Sequence, residues 1–143
     1  MKKKVLCVVL AVLLGVGLGG FGLWYYSPVA FWAEISHEDV GYIQIFSGRT
    51  GQKFTVMDES EIRYIVENVH SVIARRHGFS GQEDGFGYSV NLIGKDGLEI
   101  AEIIVNSPDA VIGDPFLLRV IEGELCYVYL TELEKFYLQA FEM

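Results

Sequence analysis

Hydrophobic and polar positions divide this chain in two. From Val5 to Ala33 no charged side chain interrupts a mostly apolar run, and the first acid is Glu34. Beyond residue 40, apolar positions recur with the periods of strands and helices. The stretch Val5–Tyr26 is 22 residues long. As a helix it would extend about 33 Å, against a hydrocarbon core of about 30 Å. Trp24, Tyr25 and Tyr26 close it, and Phe31 and Trp32 follow. Aromatic residues with a polar edge collect at the membrane–water boundary, so this cluster is expected to form an interfacial belt.

In the second part, Tyr42–Phe46 is strand-like. Ser47–Gly51 holds two glycines and reads as a turn, and Gln52–Met57 alternates Phe54 and Val56 with Lys53 and Thr55 as a half-buried strand does. Asp58 and Glu61 form a capping-box variant ahead of Ile62, Ile65, Val66, Val69 and Ile73, one apolar stripe of a helix that ends near Ser71. Ser71–Phe79 turns β-branched and then basic, and Gly78–Gly85 is expected to be a loop. Phe86, Tyr88, Val90 and Leu92 alternate as a strand. Gly94-Lys95-Asp96-Gly97 is a hairpin turn, and Leu98–Val105 is its partner. Ala110–Ile112 is a further short strand. Phe116–Ile121 and Leu125–Tyr129 suggest a second hairpin around Gly123. Thr131 and Glu134 form another capping box, opening a helix with Leu133, Phe136, Tyr137, Ala140 and Phe141 on one stripe.

Tight turns pair strands antiparallel, and amphipathic helices must bury their stripes. The expected fold is α+β: a mostly antiparallel sheet of about six strands with two amphipathic helices packed on one face. One N-terminal transmembrane helix precedes it. Residues 1–26 are read as anchor or signal sequence, 27–39 as a tether and 40–143 as an extracytoplasmic domain.

Charge sharpens the topology. Lys2, Lys3 and Lys4 favour the cytoplasmic side. Residues 34–143 carry eight basic and nineteen acidic residues, a net of −11, which argues against phosphate backbones as partners. No nucleic acid is therefore expected. A cleaved secretory signal is the rival reading, but Ala-x-Ala is missing and Gly20-Phe21-Gly22 is the best substitute. A retained anchor is favoured, and either reading exports the domain. Gly15 and Gly19 make a small-xxx-small pair, but Gly17 and Gly20 spread the glycines around the helix. Cys7 follows too short an apolar stretch for a lipoprotein, and Cys126 stands far from it, so no disulfide framework is read.

Candidate chemistry is sparse. No nucleophile elbow, phosphate-binding loop or His-Glu-x-x-His pattern occurs. Cys126, in a predicted strand, reads as buried and inert. Glu67 and His70 share a helix face but lack the three or four ligands of a zinc site. Glu83 and Asp84 lack the alternation of a calcium loop. No cofactor or metal is expected. Arg75, Arg76 and His77 are the one basic cluster of the domain, and with Tyr88 they form a candidate binding face on the sheet.

Three features carry a likeness over residues 42–138: the Phe46–Gly51 hairpin, the Asp58–Ile73 helix and the Gly87-Tyr88 … Gly94–Gly97 hairpin. With them the chain resembles the small membrane-anchored or exported domains common in Gram-positive bacteria of the clostridial type. That resemblance brings no activity, and no functional residue transfers. The expectation is a non-catalytic protein- or ligand-binding module at the cell membrane, single-pass, its N-terminus cytoplasmic. Its partners are the bilayer and another envelope protein or peptide. The alternatives are a cell-envelope hydrolase with an acidic site using His70 or His77, and a secreted inhibitor-like or sensor domain.

Overall fold

The computed structural model describes residues 1–80, 87–113 and 115–142. Helix α1 (Lys2–Tyr26) is long and apolar enough to cross a membrane or to be a signal sequence, and none of its residues is buried. After it come strand β1 (Val29–Ala30), a single 3-10 turn (His37–Asp39), β2 (Val40–Ser47) and β3 (Lys53–Val56). Helix α2 (Glu59–Ser71) leads to β4 (Ile73–Phe79), β5 (Tyr88–Gly94), β6 (Glu99–Ser107), β7 (Ala110–Gly113), β8 (Phe116–Glu122) and α3 (Tyr127–Glu142).

The α+β fold is as expected, but the sheet has eight strands rather than six, all antiparallel, in the order β1-β4-β8-β7-β6-β5-β2-β3. Two segments account for the difference. Val29–Ala30, in the stretch read as a tether, pairs with Ala74 and Ile73. Ile73–Phe79, read only as β-branched and basic, pairs with β8. Because β3 lies at one edge and β4 next to the other, α2 spans the sheet as it connects them.

Local chemistry explains the elements. Asp58 caps α2, its carboxylate accepting from the backbone N–H of Ser60 (2.9 Å) and Glu61 (3.1 Å). The Ser60 hydroxyl also donates to this carboxylate, and that bond first, followed by the one from the Glu61 N–H, lowers the Asp58 pKa. In the β5–β6 hairpin Gly97 takes φ +83°, and the Asp96 carboxylate accepts from the Leu98 N–H at 3.0 Å.

Leu125–Tyr129 does not form the expected strand. Its alternation suggests a strand, yet α3 starts at Tyr127 and Thr131 lies inside the helix, its hydroxyl donating to the Tyr127 carbonyl at 3.0 Å. The cause is tertiary. Cys126, Leu130 and Leu133 are buried at helical spacing. Asn68 on α2 holds the approach to α3, accepting from the Cys126 N–H at 2.8 Å and donating to the Glu124 carbonyl at 2.8 Å. The positions of Phe86, Glu83 and Asp84, and the side chain of Phe141, lie outside the described residues.

One core joins Ile62, Ile65, Val66 and Val69 of α2 and Leu130 and Leu133 of α3 to Ile43, Ile45, Val90, Leu92, Ile103 and Val105 of the sheet. A single row of register partners runs across that face: Ser47, Tyr88, Val105, Val111, Leu118, Arg76. On the opposite face a second row runs Phe46, Ser89, Ile104, Ile112, Leu117.

Candidate functional site

The row on the helix-covered face ends in two polar constructions. At the β4 end it meets α1. The Arg76 guanidinium lies 3.8 Å from the centre of the Trp24 ring, and its Nη1 donates to the Trp24 carbonyl at 2.8 Å. The last carbonyls of a helix lack intrahelical partners and carry the negative end of its dipole, so a cation there is favoured. The Ser27 hydroxyl donates to the same carbonyl at 2.6 Å. Phe116 packs edge-on against Trp24 and Tyr25 at 5.7 and 5.5 Å, and stacks on Phe79 at 5.5 Å.

Gly78 makes this junction possible. The β4–β8 register shifts between Arg76 and Phe79, and Gly78 within that bulge takes φ +80°. Its N–H is free of the ladder and donates to the Tyr25 hydroxyl at 3.0 Å. With β1 bonded to β4, only Ser27 and Pro28 separate α1 from the sheet. The remainder of the 27–39 segment also packs: Phe31, Trp32 and Ile35 lie against the core. Trp32 adopts φ 55°, an uncommon conformation for a bulky residue. Its carbonyl accepts from His70 Nε2 and from the Ile35 N–H at 2.9 Å. His70 is thus bonded to the backbone at the core edge, and among the described residues no three His, Cys, Asp or Glu side chains could hold a metal.

At the other end of the row, Glu134 is 3% exposed. Its Oε1 accepts from the Thr50 hydroxyl (2.6 Å), and its Oε2 accepts from the Tyr88 hydroxyl (2.6 Å) and Arg49 Nη2 (3.4 Å). Burial alone would raise its pKa, but hydrogen bonds from Thr50, Tyr88, Ser47 and Arg49 outweigh it and hold the carboxyl below its ordinary value. Burial, followed by the bond to Glu134, pushes the Tyr88 phenol up. Every oxygen of this carboxylate is occupied, so the cluster fastens α3 to the β2–β3 turn rather than presenting a base to solvent.

The four residues of the expected binding face are separated. Tyr88 is fully buried, under α3 and beside Tyr127. Arg76 is engaged by Trp24. Arg75 pairs in register with Arg119 and lies exposed on the opposite face, and His77 is exposed next to the Gly78 bulge. A strand pattern shows which residues share a face but not which of the two faces is covered. Of the anchor residues, Lys2, Lys3 and Lys4 form the first turn of α1, Trp24 and Tyr25 the junction, and Tyr26 packs edge-on against Tyr25.

The sheet face that α2 and α3 leave free carries Gln44, Asn91 and Glu102 in one cross-strand row, with Ile100 and Ile121 exposed on the same side. A cleft of about 550 Å³ lies where the 3-10 turn meets the start of α2, lined by His37, Glu38, Glu59, Ser60, Arg63 and Lys95 among others. Comparison with family models, with curated proteins and with solved structures finds no match.

Proposed function

We propose that this chain is a single-pass membrane protein of a Gram-positive-type envelope, its domain held outside the cytoplasm as a non-catalytic binding module. The observation that supports this most is the junction of Trp24 and Tyr25 with Arg76, Gly78 and Phe116. A signal sequence destined for removal has no need of a fitted seat on the mature domain. A stiff junction instead fixes which surface a domain turns toward neighbours on the same membrane. The sheet face that α2 and α3 leave free, with its polar row and the exposed Ile100 and Ile121, is the surface offered to an envelope protein or peptide.

A photo-crosslinking residue placed at Gln44 or Glu102 in the full chain tests this in cells. A discrete adduct from these positions, and none from exposed Lys135 on α3, is expected. Equal labelling from all three positions would contradict the reading.

The cleft favours a second reading. Glu38, Glu59 and His37 are the acid and base groups an acidic envelope hydrolase would use. Turnover of an ester, glycan or peptide by the purified chain, abolished by Glu59→Gln, would establish that reading in place of the first.

A further inference from the structure

We propose that Phe79 and Phe116 rest in the interfacial layer of the bilayer that α1 crosses, making the Arg76–Phe79 corner of the sheet a membrane-contact surface. The inference rests on the reading of α1 as a membrane anchor. It adds the depth and orientation of the domain.

A bilayer of about 40–45 Å with a core of about 30 Å leaves an interfacial layer of roughly 5–8 Å on each side. Trp24 and Tyr25 stand in the last turn of α1, where such rings settle in that layer. The Phe116 ring lies 5.7 Å from Trp24 and 5.5 Å from Tyr25, offsets comparable to the thickness of that layer. Phe79 stacks on Phe116 yet is 63% exposed, an apolar ring only partly covered. Gly78 in its left-handed bulge sets the turn from which Phe79 projects.

Charge agrees with this placement. Anionic headgroups repel a domain of net −11, except where basic residues approach them. Arg75, Arg76 and His77 are consecutive in β4 and immediately precede the Gly78–Phe79 corner. Arg76 neutralises the end of α1, while Arg75 and His77 are exposed beside it.

The test uses the full chain with Cys7→Ser, reconstituted in vesicles of phosphatidylcholine and phosphatidylglycerol. An environment-sensitive fluorophore is attached in turn at Phe79→Cys, at Pro115→Cys and, within the anchor, at Leu13→Cys. The expected result is a blue-shifted emission at 79 and 115, quenched by lipid spin-labelled near the headgroup and not by aqueous iodide. The label at 13 is expected to respond to lipid spin-labelled deep in the acyl chain. Pro115 keeps both phenylalanines, so a lost ring at 79 cannot decide the outcome. Iodide quenching at both 79 and 115, with 13 still quenched by lipid, would overturn the contact surface and leave the anchor standing. Iodide quenching at all three positions would overturn both.

Discussion

Arg76 binds Trp24 twice, with its guanidinium 3.8 Å from the centre of the indole ring and its Nη1 2.8 Å from the carbonyl oxygen of the same residue. The two residues are 52 positions apart, and through them the N-terminal helix is fastened to the fourth strand. A cation over an indole is worth about 0.5–2 kcal/mol and a charged hydrogen bond about 1.5–3 kcal/mol. Arg76→Ala is therefore expected to weaken the junction by about 2 kcal/mol. Distance distributions between spin labels at Leu13 and Glu122 should be narrow in the parent protein and broad in the variant. Arg76→Lys should be intermediate, because an ammonium cannot both stack on the ring and reach the carbonyl in one plane.

Glu134 has a corresponding role at the far end of the sheet. Replacing it with Ala removes the acceptor for Thr50 and the shortest bond of the buried Tyr88 phenol, which keeps only its 3.1 Å contacts with Thr131 and Arg49, a loss of about 1–3 kcal/mol by the usual cost of such groups. Denaturant unfolding would measure it. Glu134 has a folded pKa below its unfolded value. Its contribution is therefore fully present above the ordinary carboxylate pKa of about 4.3 and is lost as pH falls through the lower, folded value. The parent protein should lose stability on acidification through this range more steeply than Glu134→Gln.

Gly87 is packed where no side chain fits. A Cβ there would stand 2.7 Å from the Val105 carbonyl oxygen and 2.7 Å from Tyr127 Cε2. The first is backbone in the middle of the sheet and cannot yield cheaply. Gly87→Ala is expected to cost about 2–3 kcal/mol, as overpacked cores do, and to lower the thermal midpoint. Gly97→Ala tests a different cause: nothing stands near its Cβ, and only the left-handed φ of +83° opposes the change. It should cost about 1 kcal/mol.

Cys126 is 4% exposed, and burial pushes its thiol up to about 12. Thiolate is the reactive form, so this residue should resist alkylation at neutral pH. In detergent the folded chain is expected to show one reactive thiol, Cys7, and two after unfolding in denaturant. Two reactive thiols before unfolding would contradict the placement of Cys126 beneath α2 and α3.

Local signals carried well into the structure, and long-range ones did not. Asp58 and the stripe from Ile62 to Val69 lead directly to α2, and Asp96-Gly97 leads to the β5–β6 turn, since both are fixed by neighbours within a few residues. Leu125–Tyr129 carries strand propensity, yet its residues from Tyr127 on are helical because Cys126, Leu130 and Leu133 are drawn into the core while Asn68 holds the turn before them. The sequence puts Trp24 at the end of the apolar run, but its seat on Arg76 depends on β1 pairing with β4, which two residues of strand could not announce. Tyr88 shared a strand face with Val90 and Leu92, and alternation alone left open that this face is the buried one. Glu134 had one sequence signal: an acid directly beside Leu133 in the apolar stripe of the last helix.

The central points are where the domain lies and whether α1 stays attached to it. Intact cells expressing the full chain, treated with external protease and then fractionated after an alkaline wash, decide both. The expected result is a full-length species that remains with the membranes after the wash and loses its domain to protease before lysis. A smaller, soluble species released from the cells, or a domain protected from protease until the cells are broken, would contradict it.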